Sequence, residues 1–162
     1  MNLEREILHL IEGDAHLSTK AIATMLDVEE SEVKAIIEKL EKDKVILGYY
    51  TLVNWDRLGN NGVTAMIDVK VTPQREVGFN RIAERISRFP QVRSVHLMSG
   101  TYDLSVVVTG KTMHDIAWFV SHKLSALEQV QSTVTHFIMK TYKEDGVLFE
   151  EPEEDKRLVV SP

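Results

Sequence analysis

A short turn in the second half of the chain carries the residues best suited to bind a ligand. Its sequence is Ser99-Gly100-Thr101-Tyr102-Asp103. The glycine allows a ligand to approach the backbone closely, the ring of Tyr102 could form a pocket wall, and the carboxylate of Asp103 could bind an ammonium group. Gly and Asp are also favoured in ordinary β-turns, so on the residues alone the simple turn is the preferred interpretation.

The histidines do not form a recognisable metal site or catalytic site. No His-x-x-x-His pattern occurs, and His114 and His122 are too far apart on one helix to share a metal. The chain has no cysteine, which excludes disulfides and thiolate sites. Nucleophile elbows, phosphate loops and dinucleotide fingerprints are absent from the sequence. We therefore expect no cofactor and no catalysis, although His96 or His136 could line a pocket near the turn.

A third chemical possibility is nucleic-acid binding by the first part of the chain. A predicted helix with its apolar stripe at Val33, Ile37 and Leu40 turns its other face outward. We expect its outward face to contact DNA bases, and the start of the preceding helix to lie near phosphates. The candidate DNA-binding residues are Ser18, Thr19, Lys20, Ser31, Lys34, Ala35, Glu38, Lys39 and Lys42.

Charge argues against strong DNA binding. Residues 1–62 contain seven Lys and Arg against twelve Asp and Glu, a net charge of -5 in a chain whose total is -6. The predicted recognition helix has no arginine, the commonest partner of guanine, so its lysines would have to substitute. The alternative is a plain helical bundle that serves only for packing.

The elements that would position these residues follow from periodicity. Helical repeats beginning at Leu3, at about Lys20 and at Glu30 predict a tri-helical helix-turn-helix. The β-branched and aromatic residues of Val45–Val53 predict a following strand. Residues 54–62 are expected to be a linker, because Gly59-Asn60-Asn61-Gly62 is a strong break.

The second half changes to an alternating pattern. Strands are predicted near residues 64–71, 92–98, 104–109 and 130–142, with helices near 79–89 and 113–127. This βαββαβ order is that of a ferredoxin-like α+β domain, here spanning 63–142. Helices should cover one sheet face, and apolar groups such as Val106-Val107-Val108 on the other face imply a homodimer. Residues 143–162 are expected to be an acidic tail, flexible or docked on a neighbour.

The sequence constrains the cellular location of the protein only weakly. The longest apolar runs are a few residues long, and the charged N-terminus lacks the pattern of a signal peptide, so a cytoplasmic protein is expected.

The order and spacing of these segments resemble the Lrp/AsnC, or leucine-responsive, family of transcriptional regulators over about the first 142 residues. In the first half, the segments that carry the resemblance are Glu6–Leu10, Ser18–Ala23, the stripe of Val33, Ile37 and Leu40, Val45-Ile46, Gly48-Tyr49 and Leu58-Gly59. In the second half they are Phe89–Val92, the Gly-x-Tyr-Asp segment His96–Asp103, and Val130–Thr135.

The resemblance implies a winged-helix-like helix-turn-helix joined to a ligand-sensing and dimerisation domain. It implies a DNA-binding regulator, dimeric and assembling to a tetramer or octamer, with an amino acid or related metabolite bound between subunits and no membrane partner. The implied effector-binding residues are Ser99, Gly100, Thr101, Tyr102, Asp103, Thr133 and Thr135. The chain departs from the family where arginine is usual, at Ala35 and Ile36, and where a serine cap is usual, at Glu29.

Two alternatives stay open at this point. Siroheme decarboxylases share the layout, and Arg81, Arg85, Arg88 and Arg93 could meet tetrapyrrole propionates. The acidic first domain also fits an effector-binding protein that has lost DNA binding.

Overall fold

The computed structural model describes residues 2–59, 62–72 and 78–149. The chain divides into two compact units, Met1–Val53 and Asn54–Pro162. Within the described ranges, no helix combines the length and apolar character needed to cross a bilayer.

The first unit contains three helices, α1 (Leu3–Gly13), α2 (Thr19–Leu26) and α3 (Glu30–Lys42). Side-chain caps begin the first two: Asn2 accepts a hydrogen bond from the Glu4 N–H, and Ser18 accepts one from the Ala21 N–H. At the start of α3, Glu29 makes no side-chain capping bond, so this helix begins without the stabilisation that the other two have.

One small core holds the three helices together. Ile7 of α1, Ile22 and Ala23 of α2, and Val33 of α3 are buried against each other. These positions lie on the predicted apolar stripes, which leaves the opposite face of α3 exposed.

The predicted strand over Val45–Val53 is not formed. Among the described residues no strand pairs with this segment, and several of its apolar side chains are exposed, with Leu47 at 86% and Tyr50 at 76%. A strand is stable only where a neighbouring strand takes its hydrogen bonds. These residues have a high strand propensity, but the described part of the chain holds no strand that pairs with them.

The second unit forms the predicted βαββαβ domain. Its elements are β1 (Val63–Val71), α4 (Asn80–Ser87), β2 (Val92–Leu97), β3 (Leu104–Gly110), α5 (Met113–Phe119) and β4 (Val130–Phe137). A 3-10 turn over Trp55–Leu58 precedes β1, and a π-helical turn over Val120–Leu124 extends α5. The strands form an antiparallel sheet in the order β2-β3-β1-β4, which is the ferredoxin-like topology.

The core of this unit lies between the helices and one face of the sheet. Ile67 of β1 and Val106 of β3 are paired and fully buried, and Phe119 of α5 packs edge-to-face on Phe89 at 5.4 Å between ring centroids. Alternation of side chains along each strand places every second residue in this core.

The opposite face, here called the open face, is less apolar than the sequence suggested. Val106 and Val108 point into the helical core, so only Val107 of that run lies on the open face, next to Met66. Polar groups share this face, and His136 Nε2 lies 3.1 Å from an oxygen of Asp68. The expectation from Val106-Val107-Val108 was wrong in this respect, because strand alternation divides consecutive valines between two faces.

The chain after the sheet is more structured than a tail. The last long strand ends at Phe137 rather than at Tyr142, and β5 (Lys143–Glu144) and β6 (Val147–Leu148) form a short hairpin. The Asn54 side chain donates a hydrogen bond to the Phe149 carbonyl, which ties the hairpin to the start of the unit. The acidic segment Glu150–Pro162 lies outside the described residues, as do Asn60 and Asn61 of the predicted linker.

Candidate nucleic-acid interface and effector turn

The outer face of α3 is exposed as predicted. Its side chains alternate in charge along the helix and carry no arginine. The exposed residues of the predicted set on this helix are Ser31, Lys34, Ala35, Glu38, Lys39 and Lys42.

Glu30 connects the start of α2 to α3. Its carboxylate lies 2.9 Å from Lys34 Nζ and accepts a 2.8 Å hydrogen bond from the Thr19 hydroxyl. The hydrogen bond from Lys34, followed by that from Thr19, lowers the pKa of Glu30 below its ordinary value of 4.5. One carboxylate thereby holds Thr19, predicted to lie near phosphates, and Lys34, predicted to face the DNA bases.

The other candidate residues divide into engaged and free groups. Ser18 is used as the α2 cap, and Lys39 forms a 2.7 Å ion pair with Glu4 that raises the pKa of the lysine. Within the described ranges Lys20 and Lys42 form no ion pair at 4.0 Å or less. Only part of the positive charge on this surface is therefore available to an incoming phosphate without rearrangement.

The turn between β2 and β3 has a backbone that requires glycine. Gly100 has φ of 153°, a conformation that residues with a Cβ rarely adopt. Ser99 and Thr101 are exposed, and Tyr102 is half-buried. The turn therefore offers open backbone and a partly sheltered ring at one end of the sheet.

Asp103 fixes this turn to β1. Its carboxylate accepts a 2.9 Å hydrogen bond from the Val71 N–H and lies 3.4 Å from Lys70 Nζ, which also donates to the Thr101 carbonyl at 3.0 Å. The sequence singled out Asp103 for binding an ammonium group, but it gave no sign of Lys70. The structure brings the two together, and Lys70 already satisfies part of the carboxylate.

Thr133 and Thr135 lie on the edge strand β4, opposite Val69 and Ile67 of β1. Both are half-buried and share the helical side of the sheet with these core residues. His136 lies on the open face, where it pairs with Asp68, and it does not point to the helical side. The sequence analysis did not predict the pair of His136 and Asp68. The alternation of side chains along β4 nevertheless places His136 on the face of the sheet that Thr133 and Thr135 do not occupy.

No group of three or more His, Cys, Asp or Glu side chains able to hold a metal occurs in the part of the chain that the structure describes.

Family models match both units. Residues 2–46 match a winged helix-turn-helix DNA-binding domain, and residues 64–148 match the Lrp/AsnC ligand binding domain. The first match contains α1 to α3, and the second contains the four-stranded sheet from Thr64 of β1 onward, together with the turn at 99–103.

Individual relatives also combine a DNA-binding unit with a ligand-binding unit of this kind, or share the fold. The uncharacterized HTH-type transcriptional regulator YugG of Bacillus subtilis is 56% identical over 160 residues, which are 98% of this chain and 96% of that protein. The leucine response regulatory protein LrpA of Mycobacterium tuberculosis has a TM-score of 0.75 at 17% identity, covering 93% of this chain and 99% of that chain. A Neisseria meningitidis transcriptional regulator, solved in complex with L-Met, has a TM-score of 0.69 at 20% identity, covering 89% and 92%.

Proposed function

Because this chain belongs to the Lrp/AsnC family of transcriptional regulators, we propose that α3 contacts DNA and that a bound amino acid controls this contact. The observation that carries the proposal is the joint match of a DNA-binding unit and a ligand-binding unit, in that order, on one chain. Relatives matched over nearly full length are regulators, and no contact in the described residues favours tetrapyrrole chemistry.

The DNA contact is assigned to the exposed face of α3 and the start of α2. A helix of this unit can enter the major groove while the neighbouring helix end meets the backbone. Lys20 and Lys42 supply charge that no carboxylate within ion-pair distance neutralises, while Lys34 must leave Glu30 to reach a phosphate. Because so few cations are free, DNA binding relies on several DNA-binding units of an oligomer acting together.

The effector is assigned to the 99–103 turn, with Thr133 and Thr135 as further candidates. Open backbone at Gly100 and the partly buried ring of Tyr102 suit a small zwitterion. The complex of a structural neighbour with L-Met supports an amino acid as the ligand class. Asp103 serves here mainly to hold the turn in place, through Val71 and Lys70.

A second copy of the chain is the proposed partner of the open face. Met66, Val107 and Val134 give this face apolar surface that a two-fold related copy would bury. Pairing of this kind would hold two recognition helices at a fixed separation, with half-sites about one helical turn of DNA, roughly 34–36 Å, apart or a multiple of this.

A binding titration on the chain's own upstream DNA at low salt tests the DNA contact. Fluorescence anisotropy should show saturable binding by the intact protein, and Lys34→Glu combined with Lys42→Glu should abolish it, because two phosphate contacts become repulsive. Lys111→Glu combined with Lys143→Glu, which makes the same change of charge on exposed residues of the second unit, is the matched control for non-specific effects. Absence of binding by the intact oligomer would remove the assignment.

Thermal melting with each L-amino acid in turn tests the effector. A ligand of the folded state raises the apparent stability, so one or a few amino acids should raise the Tm. Replacement of Gly100 by valine should abolish this shift while the protein stays folded by circular dichroism, since a Cβ there is incompatible with the φ of the turn. If every amino acid leaves the Tm unchanged, the effector proposal fails.

A further inference from the structure

A cavity separate from the turn residues lies beside α4. Its volume is about 260 Å³, below the roughly 300–1,000 Å³ of pockets that take drug-sized ligands. A smaller polar molecule is therefore the fitting occupant. The side chains used in the argument are those of Thr72, Arg81, Ile82, Arg85, Glu128 and Gln129.

The charges of the lining are unbalanced. Arg81 and Arg85 are exposed and lie one turn apart on α4, and neither forms an ion pair with any described residue. Glu128, which precedes β4, provides one carboxylate in the same lining. Among the described lining residues, two cations and one anion give a net charge of +1, which favours a ligand of net charge -1.

The uncharged part of the lining is well fixed. The Thr72 N–H donates to the Gln129 carbonyl at 2.8 Å, and the Gln131 amide donates to the Thr72 hydroxyl at 2.7 Å. No described residue accepts the hydroxyl proton of Thr72, which leaves this proton for a ligand. Ile82 is 4% exposed and belongs to the hydrophobic core, so it anchors this side of α4.

We propose that this cavity binds a dicarboxylic α-amino acid, the class of L-glutamate and L-aspartate. Such a molecule carries two carboxylates and one ammonium group, which match Arg81, Arg85 and Glu128 one for one. Guanidinium groups hold carboxylates through charge-assisted and often bidentate hydrogen bonds, which makes arginine the suitable partner. A monocarboxylic amino acid leaves one guanidinium unmatched, and a plain dicarboxylate leaves Glu128 unmatched.

This site is distinct in its residues from the 99–103 turn, but both adjoin the end of β1. Thr72 of the cavity follows Val71, whose N–H is held by Asp103 of the turn. The inference does not depend on the proposed effector or on DNA, because occupancy can be measured on the protein alone.

Isothermal titration calorimetry of the full chain with L-glutamate, L-glutamine and glutarate tests the proposal. We expect L-glutamate to bind most tightly, since each of the other two lacks one charged group. Arg81→Gln with Arg85→Gln should weaken L-glutamate binding by about tenfold or more, through loss of charge-assisted hydrogen bonds. Arg88→Gln, at the end of the same helix and outside the lining, should leave the affinity unchanged.

Glu128→Gln provides a readout that misfolding would not imitate. It should reduce the preference for L-glutamate over glutarate to near unity, because the ammonium group loses its partner while both carboxylates keep theirs. A Gly100→Val variant should retain this binding even if it abolishes the response at the turn. That outcome separates this site from the proposed effector site.

Three results would overturn the inference. The first is no heat of binding for L-glutamate up to about 10 mM, a concentration beyond the weakest useful affinity. The second is equal binding of glutarate or inorganic phosphate by the unmodified protein, which indicates a general anion site. The third is L-glutamate binding that persists undiminished in the double arginine variant.

Discussion

Replacement of Glu30 by glutamine is expected to strengthen DNA binding. The carboxylate of Glu30 holds Lys34 at 2.9 Å and accepts the Thr19 hydroxyl at 2.8 Å, and both groups lie on the proposed DNA surface. Glutamine keeps the size of the side chain and its ability to accept a hydrogen bond. It removes the negative charge and frees the lysine for a phosphate.

The size of the effect follows from counterion release. One additional neutralised phosphate steepens the dependence of log K on log salt by about 0.9, so a fourfold change in salt separates the two proteins by roughly 3.5-fold. The variant should therefore gain about that factor between roughly 200 mM and 50 mM salt, for each recognition helix that contacts DNA. A dimer that contacts DNA with two recognition helices should gain the square of this factor in affinity.

Anisotropy titrations of the protein and the variant across a salt series measure both slopes. Glu12→Gln is the control, because it removes the same charge from α1, where Glu12 pairs with His9 at 3.7 Å and holds no lysine. A variant slope equal to that of the control would refute the reasoning, since it would show that the release of Lys34 adds no phosphate contact. A weaker affinity for the variant at all salt concentrations would do the same.

Three further predictions concern stability. Glu29→Ser should raise the free energy of unfolding by about 1 kcal/mol, because α3 begins without a side-chain cap. Thermal melting measures this gain, and an unchanged Tm would show that the first backbone N–H groups of α3 need no serine cap. Gly110→Ala should cost about 1–3 kcal/mol in urea unfolding, because its Cβ would lie 3.0 Å from Ile116 Cγ1, whereas Gly62→Ala meets nothing nearer than 3.6 Å and should be tolerated. Finally, the lowered pKa of Glu30 means that its stabilising effect is fully present above pH 4.5 and is lost as the pH falls through the folded-state pKa. The difference in stability between the protein and Glu30→Gln should therefore shrink only in that acidic range, and a difference that is constant down to about pH 3 would contradict it.

The helices were the most predictable part of the fold. Stripes such as Val33, Ile37 and Leu40 follow from the 3.6-residue period, and the Ser18 cap depends on residues close in sequence. The βαββαβ order was also predictable from the sequence, because each change in the period of the apolar residues marks a change from helix to strand or from strand to helix. Local signals of this kind need no knowledge of the partner element.

The errors occurred where a partner decides the outcome. Val45–Val53 has the composition of a strand, yet no strand within residues 2–59, 62–72 and 78–149 pairs with it. Val106-Val107-Val108 looked like one apolar surface, but pairing with β1 sends two of its members into the helical core.

The candidate sites divide in the same way. The turn at Gly100 and the lysines of α3 could be named from the sequence, together with the family they indicate. The ion pairs of Glu30 and Lys39 could not, because each depends on how separate helices approach one another.

The two-part layout, the βαββαβ order and the sign of the charge on each unit follow from residue type and spacing along the chain. The folded arrangement is needed to know which lysines lie beyond ion-pair distance of a carboxylate and which face of the sheet each valine occupies. It is also needed to know that Arg81, Arg85 and Glu128 line one cavity. The physical reason is that charge neutralisation and cavity shape depend on contacts over a few ångströms between residues distant in sequence, and no local pattern encodes those distances.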